Sequence, residues 1–166
     1  MDLLQHIDQI FSPTGMLVQL GGRYTAEQHK YAVFVGKSVI NEDFTLSFLE
    51  AETGIGKTLG YLTPILIHLA LKQAEGKNCG KMIISTYSRQ LQKQIFDSDL
   101  EFAKKLVNSI GLETNFLAAY RMGRQAFFSL ERTINCCKRL RISTPAREKE
   151  LQAFVNYVKH STAYGS

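Results

Sequence analysis

The sequence lacks the features of a secreted or membrane-spanning protein. Its three cysteines, Cys79, Cys136 and Cys137, give no plausible disulfide framework. Residues 1–9 contain two aspartates and no lysine or arginine, so they lack the basic start of a secretory signal. The most apolar stretch, residues 59–71, is shorter than the roughly 20 residues that a membrane span needs. We therefore expect a cytoplasmic protein with no membrane partner.

Basic residues are concentrated in the second half of the chain. Residues 1–80 contain 6 basic and 8 acidic side chains, whereas residues 81–166 contain 14 and 7. A basic surface favours a polyanionic partner such as nucleic acid. A solvated basic face that binds no ligand explains the same composition equally well.

Apolar periodicity predicts helices that alternate with short strands. Buried strands are expected at residues 45–49, 81–86 and 114–118. Helices are expected at residues 3–11, 25–39, 57–75 and 88–110, and after residue 120 at 125–140 and 146–160. This order is typical of an α/β fold, in which a parallel sheet has flanking helices. We expect one domain over residues 1–120, followed by a helical segment over residues 121–166.

A glycine-rich loop between the first predicted strand and its helix has the composition of a phosphate-binding loop. Residues 51–58 read AETGIGKT, which differs from the usual pattern only by Ala51 in place of the first glycine. Glycines permit the tight turn that aims backbone N–H groups at an anion, and the helix N-terminus favours phosphate. The pattern predicts ATP and Mg²⁺ as ligands, with Lys57 on the β- and γ-phosphates and the Thr58 hydroxyl on Mg²⁺. The predicted nucleotide contacts of the loop are Thr53, Gly54, Ile55, Gly56, Lys57 and Thr58, of which Lys57 and Thr58 are the catalytic candidates. We expect Lys57 to make few packing contacts when no nucleotide is bound.

The wider segment around this loop resembles motif I of the DinG/XPD-like helicases of superfamily 2. Residues 48–62 read FLEAETGIGKTLGYL, with an acidic residue and alanine before the core and leucine and tyrosine after it. The resemblance implies a RecA-like motor domain that is incomplete in these residues. It also implies an ATP-dependent enzyme that moves 5′-to-3′ on single-stranded DNA and unwinds duplex.

Further stretches resemble the same family in order and spacing. Residues 24–32 resemble the glutamine motif that reads adenine in the family, which makes Gln28 the candidate for that contact. Residues 86–95 read TYSRQLQKQI and resemble motif Ia, which in the family touches the backbone of single-stranded DNA. The resemblance therefore assigns DNA contacts to Thr86, Arg89 and Gln92.

Residues 120–129 resemble the family segment that leads into an iron–sulfur domain, and Arg124 there is a further candidate for a DNA contact. Ser129 stands at the position of the first cluster cysteine, and Cys136 and Cys137 do not have the expected spacing. A cluster needs a full set of spaced thiolates, so no iron–sulfur cluster is expected. Cluster-free members of the family include CRISPR-associated proteins, which makes a CRISPR effector complex a candidate partner.

No convincing acidic box follows an apolar strand in this sequence, although NTP hydrolysis needs one. Residues 97–101 contain three acidic side chains, but no apolar strand directly precedes them, and they are interpreted as solvated surface. We therefore expect an N-terminal fragment of a helicase, inactive alone, whose partner is the rest of the chain with its second motor domain. Two alternatives remain open: a P-loop kinase or other small nucleotide-binding enzyme, and a non-catalytic module that binds nucleic acid.

Overall fold

Helices dominate the described part of this computed structural model, which comprises residues 2–41 and 46–123 and the single residues 132, 135, 149, 150, 152, 153 and 156. The chain divides into two compact units, Met1–Ala119 and Tyr120–Ser166. The helices predicted at residues 125–140 and 146–160 lie almost entirely outside the described residues. The single residues described within them are helical.

Two of the first three helices, the first and the third, begin within one residue of where the sequence predicts them. Helix α1 spans Leu3–Phe11 and starts with a capping box, in which the Asp2 carboxylate accepts from the Gln5 backbone N–H and the Gln5 side chain accepts in return. Helix α2, Met16–Gln19, is a single turn that the sequence did not predict. Helix α3 spans Ala26–Ile40 and is capped by the Thr25 hydroxyl.

The longest helix, α4, spans Lys57–Ala74 directly after the glycine-rich loop, as predicted. Helix α5 covers Arg89–Gln94, and a π-helical turn at Ile95–Asp99 joins it without a break to α6, Leu100–Ser109. The prediction of a helix from residue 88 to about 110 is confirmed, with this π-helical turn as an unpredicted interruption.

Helix α4 lies at the centre of the core of the first unit. It packs against α1, α3 and α6, and its buried positions cover most of its circumference. Leu62, Leu66 and Ile67 of α4 are almost fully buried. The rest of the core is formed by residues Leu3, Ile7, Ile10, Phe11, Leu17, Ala32, Ala70, Ile95, Ala103, Leu106 and Val107. The loop before α4 is therefore anchored to the best-packed element of the unit.

The described residues do not form the predicted sheet. Residues 46–49, 81–86 and 114–118 have no strand pairing, and residue 45 lies outside the described part. Ile83, expected in a buried strand, is 90 % exposed. The prediction of buried strands is wrong for these segments as the structure has them. An apolar run becomes a strand only when another segment pairs with its backbone groups, and the run itself does not supply that segment.

No helix among the described residues is long and apolar enough to cross a membrane.

Candidate nucleotide-binding site

Two glycines with positive φ shape the loop before α4. Gly54 has φ +87°, and Gly56, the N-cap of α4, has φ +83°. A residue with a Cβ is destabilised by roughly 1–2 kcal/mol in this left-handed region, because its Cβ approaches the following carbonyl oxygen. The loop conformation therefore depends on Gly54 and Gly56, both of which belong to the phosphate-loop pattern of the sequence.

In the part of the chain that the structure describes, no side chain caps the N-terminus of α4, although α1, α3 and α5 are capped by Asp2, Thr25 and Ser88. The first amides of a helix have no intrahelical acceptor, and they carry the positive end of the helix dipole. An anion at this end would supply the missing acceptor. The beginning of α4 thus has the electrostatics and the free donors that a phosphate group needs.

The Lys57 ammonium donates hydrogen bonds to the backbone of the loop that precedes it. Its Nζ donates to the carbonyl oxygen of Ala51 at 2.9 Å and to that of Glu52 at 2.6 Å. Both acceptors are backbone carbonyls of the loop, and the expectation that Lys57 makes few packing contacts stays a prediction. An ammonium has three N–H donors, so one remains for another acceptor without any change in these two bonds.

Gln28 connects helix α3 to the loop. It is 5 % exposed, and its Nε2 donates to the carbonyl oxygen of Gly56 at 2.9 Å. A Cβ on Gly56 would lie 2.2 Å from Gln28 Nε2, so the two residues are in close contact. The structure thus brings together two predicted motifs that are distant in sequence.

Tyr61 is a neighbour of the site that sequence reasoning missed. It lies one helical turn after Thr58 on α4, and the Thr58 side chain is close enough to influence the pKa of its phenol. Burial raises the pKa of the Tyr61 phenol, the Thr58 side chain opposes the rise, and the nearby Asp99 and Tyr31 add to it. Tyr61 remains neutral near pH 7, since an ordinary phenol ionises only near pH 10. The spacing of three residues within a predicted helix was the available signal.

The segment that resembles motif Ia surrounds the start of α5. The Ser88 hydroxyl accepts from the Leu91 backbone N–H at 3.2 Å, and Thr86 Oγ1 donates to the Ser88 carbonyl at 3.2 Å. Arg89 is exposed on the first turn of α5, and Gln92 is half-buried one turn later. The structure therefore places Thr86, Arg89 and Gln92 on one short segment, whereas Arg124 lies outside the described residues.

Among the described residues, no group of His, Cys, Asp and Glu side chains is arranged to hold a metal ion. Ser129, Cys136 and Cys137, on which the iron–sulfur prediction rests, lie outside the described residues. An open depression of about 370 Å³ is found near Ala70 and Gln73 of α4. Because a helix rises about 1.5 Å per residue, Ala70 is roughly 20 Å along α4 from Lys57, so this depression does not belong to the loop.

Comparison with known proteins identifies the family. The sequence pattern of the DEAD/DEAH box helicases matches residues 24–156. The chain belongs to the DEAD/DEAH box helicase family. Membership of this family implies a P-loop, RecA-like fold, whose sheet the described residues do not form.

Individual relatives of this DEAD/DEAH box helicase chain are DNA helicases by name. It is 40 % identical over 134 residues to the ATP-dependent DNA helicase YoaA of Haemophilus influenzae, covering 80 % of this chain and 18 % of that protein. It is 34 % identical over 99 residues to the ATP-dependent DNA helicase DinG of Escherichia coli, covering 60 % of this chain and 12 % of that protein. The DinG of Salmonella choleraesuis is 33 % identical over the same length. The resemblance to DinG-like helicases is thereby confirmed.

The chain spans less than a fifth of the length of these relatives. No solved structure matches it.

Proposed function

We propose that this chain forms the ATP-binding part of a DinG-like helicase, which couples ATP hydrolysis to movement along single-stranded DNA. The observation that carries the proposal is the uncapped start of α4 together with the loop before it. Backbone carbonyls of this loop accept hydrogen bonds from Lys57 and Gln28. Family membership supports the same function, and so do the relatives, which are named ATP-dependent DNA helicases. They favour it over a kinase that acts on a metabolite.

In the proposed site, the amides at the start of α4 hold the β-phosphate, while Lys57 holds the β- and γ-phosphates. The loop contacts are Thr53, Gly54, Ile55, Gly56, Lys57 and Thr58, as the sequence predicts. The hydrogen bonds from Lys57 to the loop carbonyls hold the ammonium beside the turn, so little rearrangement is needed when phosphate binds.

Gln28 retains the groups that adenine recognition requires. A glutamine amide has two N–H donors and one carbonyl acceptor. One donor is used on Gly56, which leaves one donor and the acceptor for the adenine edge. Since the same side chain contacts the loop, we propose that binding of the base also fixes the loop.

Mg²⁺ fits the site through the Thr58 hydroxyl, because a hard cation prefers oxygen ligands. Held there by Thr58, the ion would supply positive charge to stabilise the phosphate groups.

The proposed DNA contacts are Thr86, Arg89 and Gln92, with Arg124 as a fourth. Hydroxyl, guanidinium and amide groups are the side chains that commonly contact phosphate oxygens. The 5′-to-3′ direction, the second motor domain as a partner within the same protein, the lack of an iron–sulfur cluster and a CRISPR effector complex as a partner all stay predictions from the family resemblance.

The proposal is tested in the gene product that contains this chain. Phosphate release is measured with and without single-stranded DNA for the wild type, Lys57→Ala and Lys77→Ala. Lys77 lies just past the other end of α4 and pairs with Glu75, so its replacement makes the same charge change away from the loop. We expect DNA-stimulated hydrolysis in the wild type and Lys77→Ala, and a loss of about two orders of magnitude in Lys57→Ala. Undiminished hydrolysis in Lys57→Ala, or none in the wild type, would contradict the proposal.

A further inference from the structure

Tyr87 is an aromatic side chain that protein atoms do not cover. It is 106 % exposed, whereas Tyr24, Tyr31, Tyr61 and Tyr120, the other tyrosines in the described part, are all partly buried. Removing a tyrosine ring from water is favourable, so a ligand that covers this fully exposed ring would gain binding free energy. The ring lies at the bend between residues 81–86 and α5.

The backbone on both sides of Tyr87 is held in place. Thr86 is half-buried, and its hydroxyl donates to the Ser88 carbonyl, so one hydrogen bond spans Tyr87. Ser88 in turn caps α5 by accepting from the Leu91 backbone N–H. A ring on a fixed backbone loses little conformational freedom when a ligand stacks on it.

Two cationic side chains lie on α5, the helix that begins two residues after Tyr87. Arg89 and Lys93 of α5 are exposed and form no ion pair with any residue that the structure describes. The nearest acidic residue along the chain, Asp97, forms no ion pair with either cation, and the next one, Asp99, accepts hydrogen bonds from Gln94 and Ser98. An exposed aromatic ring beside free cations is the combination by which proteins bind single strands, since bases stack and phosphates pair with the cations.

We propose that the Tyr87 ring is a stacking platform for one base of single-stranded DNA, with Arg89 and Lys93 on the adjacent phosphates. The proposal rests on the proposed function, and it adds base stacking to a segment otherwise assigned to the DNA backbone. Stacking uses the π-face that every base has, so the contact tolerates any sequence. Stacking would therefore increase the affinity for the strand without selecting a base sequence.

The chain contains no tryptophan, which makes a direct test available. In Tyr87→Trp the single indole reports on its own surroundings. Its fluorescence is measured during titration with an oligodeoxythymidylate and with an abasic oligonucleotide of equal length, at one fixed salt concentration. We expect strong quenching by the thymidylate and little by the abasic strand, because only the first has bases that can stack.

Affinity measurements on unlabelled variants complete the test. Tyr87→Ala should bind the thymidylate about tenfold more weakly, while Tyr87→Phe should bind like the wild type because it keeps the ring. Ile83→Ala is the matched control, since Ile83 is 90 % exposed in the same segment and lacks an aromatic face. It should bind like the wild type.

The outcomes separate this proposal from the proposed function. If the wild type binds the strand but Tyr87→Ala binds equally well, base stacking is wrong and DNA binding stands. Equal quenching by thymidylate and abasic strands also overturns stacking. If the wild type binds no single-stranded DNA, the stacking site and the assigned DNA function both fail.

Discussion

Replacing Gly56 with alanine tests the contact between Gln28 and the nucleotide loop. A Cβ at Gly56 would lie 2.2 Å from Gln28 Nε2 and 3.0 Å from its Cδ, so the buried amide must move. Gly54 is a matched control. It has nearly the same φ, +87° against +83°, but a Cβ there meets nothing within 4 Å.

The expected difference follows from these two environments. Both substitutions place alanine in the left-handed region, at a cost of about 1–2 kcal/mol. Gly56→Ala also displaces Gln28 from the Gly56 carbonyl and leaves a buried amide unsatisfied, at a further cost of about 1–3 kcal/mol. At about 4 °C per kcal/mol for a unit of this size, Gly54→Ala should melt roughly 4–8 °C below the wild type, and Gly56→Ala about 4–12 °C lower still.

The assay is thermal unfolding followed by far-ultraviolet circular dichroism, with Gln28→Ala and the double variant included. Removing the Gln28 side chain removes the collision, so the double variant should be more stable than the sum of the single effects by at least about 1 kcal/mol. Equal melting temperatures for Gly54→Ala and Gly56→Ala, or strict additivity with Gln28→Ala, would refute the contact.

Three other expectations concern separate parts of the chain. Thr63 Oγ1 is buried and has no hydrogen-bond partner among the described residues, so Thr63→Val should raise the free energy of unfolding by about 1 kcal/mol in urea denaturation, and a destabilised variant would contradict this. The 166-residue chain should release negligible phosphate from ATP, because its sequence contains no acidic box after an apolar strand; robust DNA-stimulated turnover would show that it is a complete small NTPase. Anaerobically purified protein should be colourless and free of stoichiometric iron, because Ser129 replaces the first cluster cysteine; bound iron with sulfide would show the opposite.

The helices of the first unit could be predicted because their signals are local. Apolar spacing and the capping residues Asp2, Thr25 and Ser88 mark their starts, and Gly111, with φ +83°, follows the end of α6. The π-helical turn at Ile95–Asp99 escaped prediction because it changes the helical period for only a few residues.

Features that depend on distant segments could not be predicted in the same way. Apolar residues 82–84 read as a buried strand, yet all three are exposed because no described segment pairs with them. The glycines and Lys57 of the loop were visible in the sequence as a motif. That Gln28 donates to Gly56 depends on how α3 packs against α4, which no local pattern specifies. The bond from Lys57 to Ala51 is local, but the motif alone does not specify it.

The most direct test of the account is nucleotide binding by this chain. Isothermal titration with ATP and Mg²⁺ is compared for the wild type, Lys57→Ala and the charge-matched control Lys77→Ala, each with its melting temperature. Because hydrogen bonds to charged groups contribute about 1.5–3 kcal/mol, Lys57→Ala should weaken ATP binding by roughly 10- to 100-fold, while Lys77→Ala binds like the wild type. The melting temperature of Lys57→Ala should fall by only a few degrees, from loss of the two bonds to the loop carbonyls. Unchanged ATP affinity in a folded Lys57→Ala variant would contradict the central claim that this loop binds the phosphates.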